Sequence, residues 1–159
     1  MAKRKFLEVK DQSDFLTLLG LSCKLLDYHL SFYLNRQWDF QFVKQDDFVY
    51  GTPGSDDKHL FSFYASTDED HVNIYYLLSN RSQDHLLIPS LKQTDFLMFI
   101  DGVLKESRKE ELLKTIRSVP RVLLATEINP AVIKHIDHLI NELELHRMSI
   151  AQKPINPNP

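Results

Sequence analysis

Four side chains near the C-terminus have the types and spacing of a metal site. His135, His138, Glu142 and His146 recur at three- and four-residue steps, which at 100° per residue lays them on one narrow stripe of a helix. Imidazole nitrogens and carboxylates are ordinary zinc ligands. No ligand from elsewhere in the chain is evident, and such spacing is common on helices. The plainer reading is a helix edge in water with an i,i+4 His–Glu pair, so the stripe is expected to stay solvated and metal-free.

Asp95 stands directly before the apolar run Phe96-Leu97-Met98-Phe99-Ile100. A carboxylate at such a place could act as a general base if burial raised its pKa. Asp beside a strand more often accepts backbone N–H bonds and fixes a turn, here the one after Pro89. A structural role is therefore expected for Asp95, and turn chemistry for Asp101-Gly102. Asn35 and Asn80 each follow an apolar element, where Asn tolerates left-handed backbone and caps a chain reversal. Cys23 is the sole cysteine and has no partner for a disulfide, redox or zinc motif. It reads as a small buried hydrophobe. With four glycines, neither a dinucleotide fingerprint nor a Walker loop can be written, and no GxSxG elbow exists. No catalytic, cofactor-binding or metal-binding residue is assigned.

Nucleic acid is the remaining chemistry to weigh. Lys3-Arg4-Lys5 could touch phosphate, and Tyr64, Tyr75 and Tyr76 lie on expected strands where bases could stack. Three charges at a terminus make a weak footprint against a net charge of −3. Strand aromatics more often fill a core or pair across strands.

The elements that must position these residues follow from periodicity. At 159 residues, with 43% apolar and 26% charged side chains, the chain has the size and composition of one globular domain. Phe15 to Cys23 is apolar on both faces and reads as a central strand. Lys24 to Trp38 carries Leu26, Leu30, Tyr33 and Leu34 at helical spacing. Phe40 and Phe42, then Phe61 to Ala65, then Val72 to Leu78, alternate as half-buried antiparallel strands do. Thr52 to Asp57 is a loop by composition, and Thr67 to Asp70 a hairpin tip. Phe96 to Ile100 is a buried strand. Ser107 and Glu110 have capping-box spacing ahead of a helix that Pro120 ends, and Arg121 to Ile128 is a further strand. Asn129-Pro130 opens the last helix, with Val132, Ile133, Ile136, Leu139, Ile140 and Leu143 on its docking face. The strand–helix–strand–helix order at the end implies one parallel pair with a right-handed crossover. The expectation is an α+β fold: a single domain over residues 1–151, a mixed, mostly antiparallel sheet of about six strands with about three helices, and a disordered tail over 152–159.

Ile88, Pro89 and Asp95 stand at the spacing of the motif that names the IPExxxVDY family, small bacterial proteins mostly from Bacteroidetes. Ser90, Thr94 and Phe96 replace that motif's Glu, Val and Tyr. Around it, the apolar LLGL strand, the DYHLSFYLN helix and the YYLLSN strand resemble the family's general plan from about Phe15 to Ile128. The resemblance implies a cytoplasmic protein and a fold, but no chemistry. With Ser at position 90, no acid–base role carries over to it. A single cysteine and the lack of an apolar leader or long apolar run agree with a cytoplasmic place and no membrane partner. The leading expectation is a non-enzymatic binding or scaffold protein acting through a protein interface, with a homodimer as one form of it. An RNA-associated protein is the alternative, and a small-molecule enzyme without a recognisable motif comes third. No cofactor is expected.

Overall fold

The computed structural model describes residues 16–67 and 72–151. The basic Lys3-Arg4-Lys5, the tip of the expected hairpin at 68–70 and the expected tail over 152–159 lie outside the described residues.

Six strands make the main sheet: β1 (Leu16–Cys23), β2 (Val43–Lys44), β5 (Phe63–Thr67), β6 (Ile74–Ser79), β9 (Phe96–Asp101) and β10 (Val122–Ile128). Their order is β10-β1-β9-β6-β5-β2, and every pairing is antiparallel. Two small hairpins stand apart, β3 (Phe48–Tyr50) with β4 (His59–Phe61) and β7 (Arg81–Ser82) with β8 (His85–Leu86). Three helices complete the α+β domain: α1 (Asp27–Gln37), α2 (Glu106–Arg117) and α3 (Ile136–Ala151).

The expected parallel pair does not form. β9 and β10 do run the same way, but β1 lies between them and pairs antiparallel with both. The apolar character of β1 on both faces follows from burial in two core clusters, Leu19 and Leu21 in one and Leu18 in the other. At its centre, a Cβ on Gly20 would lie 2.6 Å from Ile128 Cδ1, so the end of that side chain would have to move for any larger residue.

Both faces of the sheet are covered. Leu19, Leu21, Tyr75, Leu77, Met98 and Ile100 meet α1, α2 and the rings of Phe40 and Phe42. Leu18, Phe63, Tyr76, Leu78, Leu97 and Phe99 meet the β3–β4 hairpin, Leu87, Ile88 and α3. The unbroken run at 96–100 is therefore buried residue by residue, as a central strand in a three-layer fold must be. The strand β6, whose alternation predicts one wet face, is buried on both for the same reason.

Several local expectations are corrected. Phe40 to Phe42 is not a strand. Both rings are buried, but the backbone there is held by side chains: Ser66 Oγ accepts from Gln41 N at 2.9 Å, and Asn35 exchanges two bonds with the Phe42 backbone. Asn35 thus braces the chain without left-handed backbone. The run at 61–65 breaks at Ser62 into β4 and β5, so that Phe61 leaves the main sheet for the hairpin over it. Ser107 lies inside α2; Lys105 holds the N-cap position with no side-chain bond, and Glu106 pairs with Lys109 instead. Asn129 does cap Pro130, its Oδ1 accepting from Ala131 N at 3.0 Å, but the turn it starts is a short 3₁₀ piece over Pro130–Val132. His135, at φ +63°, then re-aims the chain before α3 begins at Ile136. Val132 is consequently 73% exposed, whereas Ile133, Leu139, Ile140 and Leu143 are buried as expected.

The end of β9 behaves as turn chemistry predicts. Gly102 sits at φ +138°, and a Cβ there would fall 2.1 Å from Asn73 Oδ1. At the far edge of the sheet, β10 is blunted rather than open. A bulge opposite Ser22 and Cys23 bends it, Arg117 Nε donates to Ala125 O at 3.0 Å, and Lys109 pairs with Glu127 at its end.

Candidate binding site

The segment from Ile88 to Asp95 is organised by a single buried amide. Asn80 follows β6 and is fully buried. Its Oδ1 accepts from Ile88 N at 2.9 Å, and its Nδ2 donates to Leu91 O at 3.0 Å and Thr94 O at 2.9 Å. Its backbone donates to Asp95 O and accepts from Leu87 N. Every hydrogen-bonding group of this residue is used, as a buried amide requires. The role is structural, as expected of Asn80, but it works through the side chain rather than through positive φ.

Asp95 closes the other end. Its Oδ2 accepts from Cys23 N and its Oδ1 from Arg81 Nε, both at 2.9 Å, while its own N–H donates to Leu21 O. The carboxylate ties three segments together, and both oxygens are occupied by that work. Arg81 also reaches Lys92 O, and Ser22 reaches Gln93 O. Cys23 is buried, and burial, with the Asp95 charge as a smaller contributor, pushes its thiol pKa up.

With both ends tied, Pro89 and Ser90 are left exposed at the crest of the turn. A cavity opens on each side of it. The first, about 360 Å³, has a floor of Leu87, Ile88, Ile133 and Leu139 and walls from Tyr50, Thr52, Pro53, Pro89 and Ser90. Lys134 is its charged side chain, and His135 adds an imidazole. The second, about 390 Å³, is more polar and includes Asp57, His59, Asp84, His85 and Lys92. Tyr50, Thr52 and Pro89 border both; we call the pair of cavities the trough and these three residues its saddle. Burial raises the Tyr50 pKa, with Glu142 adding to it, which keeps the phenol protonated and able to donate. In the second cavity the rings of His59 and His85 stack at 3.6 Å.

The histidine stripe does not converge. His135 precedes the helix and lines the first cavity. His138 lies against the Tyr50 ring at 5.5 Å. His146 meets Phe63 at 4.8 Å and Phe48 at 5.4 Å, edge to face. Its Nε2 lies 3.0 Å from Asp46 O; a carbonyl only accepts, so that nitrogen carries the hydrogen. Burial lowers the His146 pKa against the opposing pull of Asp47. The expectation of a wholly solvated stripe is therefore corrected: the β3–β4 hairpin lies under it and takes two of the rings. Among the described residues, no three His, Cys, Asp or Glu side chains are grouped to hold a metal ion.

The tyrosines proposed for stacking are interior. Tyr64, Tyr75 and Tyr76 are all buried, so they offer no exposed platform. Burial and the Asp27 carboxylate push Tyr64 up to about 12. Among the described residues the Tyr76 hydroxyl has no hydrogen-bond partner, and burial raises its pKa strongly. Nearby, burial and Glu144 hold Asp101 above the usual carboxylate range.

Most of the trough escapes sequence reasoning. Tyr50 and Thr52 belong to a three-residue strand and the loop after it, too short for a periodic signal. Leu87, Ile88, Ile133 and Leu139 read as core. No family model, no curated protein and no solved structure matches this chain. Among the described residues, no helix is long and apolar enough to cross a membrane.

Proposed function

We propose that this chain is a binding protein without catalytic action of its own, and that the trough over Pro89 is its binding face for a protein partner. The observation that carries this reading is the exposed Pro89-Ser90 crest between two cavities, on a turn that Asn80 and Asp95 hold rigid from beneath. Rigid support under an exposed, concave, partly apolar surface lowers the ordering cost of binding. An extended segment of the partner suits a trough of this form better than a flat contact does. A cytoplasmic place and kinship with the IPExxxVDY family form part of the same proposal.

Blocking the trough tests it. Thr52→Trp and Ser90→Trp change exposed side chains at the saddle and crest and should leave the fold intact. Partners captured from the native host by the unaltered protein should be lost by both variants and kept by Leu123→Ser, which alters the β10 edge. Capture unaffected by either tryptophan would remove the trough from consideration.

A further inference from the structure

We infer that the first cavity recognises a free chain terminus: an apolar C-terminal side chain of the partner together with its carboxylate. The inference rests on the trough being the binding face and names the group it takes. The floor is wholly apolar, made by Leu87, Ile88, Ile133 and Leu139. Lys134 is the charged group lining it, His135 adds an imidazole, and among the described residues no acidic side chain lines it. Lys134 makes no ion pair among the described residues.

An apolar floor with the Lys134 ammonium at its side selects a ligand that is apolar at one end and negative at the other. A chain terminus has both within one residue. The second cavity decides for a chain over a small carboxylate. It continues the surface across Tyr50, Thr52 and Pro89, and its mixed lining of Asp57, Asp84 and Lys92 suits the polar backbone of preceding residues. Placed so, the last side chain enters the first cavity, the carboxylate meets Lys134 and His135, and the residues before it cross the saddle.

Two tetrapeptides decide the matter: acetyl-Gly-Ser-Gly-Leu as the free acid and as the C-terminal amide, titrated into the isotope-labelled full chain by NMR. The free acid should shift the amides of Ile88, Ile133 and Lys134 saturably, and the amide should bind at least ~10-fold more weakly, the scale of one charge-assisted contact. Lys134→Gln, an exposed change whose spectrum reports its own folding, should bring the free acid toward the affinity of the amide. Equal affinity for acid and amide would overturn carboxylate recognition while leaving the trough as a binding face. Hexanoate binding as tightly as the peptide, without shifts at Lys92 or His85, would overturn the chain-terminus assignment. Absence of shifts around the first cavity with every probe would overturn the inference, and the tryptophan variants then judge the trough independently.

Discussion

Asn80 Oδ1 holds the Ile88 amide at 2.9 Å from a position with no solvent access, eight residues back in the chain. That bond fixes where Pro89 stands, and Pro89 divides the trough. Asn80→Ala would orphan the Ile88 N–H and the Thr94 carbonyl together, while Leu91 O would keep only the Thr94 N–H. Each buried group left unpaired costs about 1–3 kcal/mol, so a loss of at least ~2 kcal/mol is expected in denaturant unfolding. Hydrogen exchange at Ile88 should accelerate more than exchange at Met98, which lies in the central strand.

Leu97 and Phe99 sit on β9 between two paired neighbours and are 0% exposed. Truncating either to alanine should destabilise the domain by about 2–5 kcal/mol, the sum of lost transfer energy and the cavity left behind. Denaturant melts within error of the parent protein would contradict the central placement of this strand.

His146 links acidity to the docking of α3. Burial lowers its folded pKa below the unfolded value, so the neutral ring is the form the fold favours. Its contribution is fully present above the unfolded pKa near 6.5 and is lost as pH falls through the folded pKa. Stability should therefore decline on acidification below about pH 6.5. His146→Gln should show a shallower decline over the same range, measured by thermal melts at a series of pH values.

Asp101 carries the opposite sign. Its folded pKa is raised, by burial first and by Glu144 second, so its protonated form is favoured in the fold. That stability is present below the unfolded pKa, around 4, and is lost as pH rises through the folded value. Asp101→Asn should accordingly melt higher than the parent protein at neutral pH. The gain should vanish at about pH 3, where the parent carboxyl is itself protonated.

Long, patterned segments carried most of what the sequence made legible. The five-residue apolar run at 96–100 could only be a strand buried on both sides, and Leu139 to Leu143 could only dock. Asp95 read as structural because its carboxylate stands beside a strand; the carboxylate accepts from Cys23 and Arg81 on distant segments rather than within the turn after Pro89. What escaped depends on contacts with no local signature. Phe40 to Phe42 alternates like a strand, yet Asn35 and Ser66 take the backbone bonds a neighbour would have supplied. The histidines share a stripe in a helical projection, but a projection does not show the β3–β4 hairpin lying beneath it. The trough assembles Thr52, Pro89 and Lys134 from three connecting segments, and no periodicity relates them.

The insertion of β1 between β9 and β10 has a consequence for how the protein is made. Its first described strand finds one partner near residue 98 and the other near residue 125. During synthesis the Leu-rich segment from Leu16 to Leu21 must wait, with both flanks unpaired, until almost all of the sheet has left the ribosome. Contacts so distant in sequence close slowly. Nascent chains stopped short of Val122 would present a hydrophobic strand with an open flank, the kind of surface that chaperones hold and that aggregates recruit.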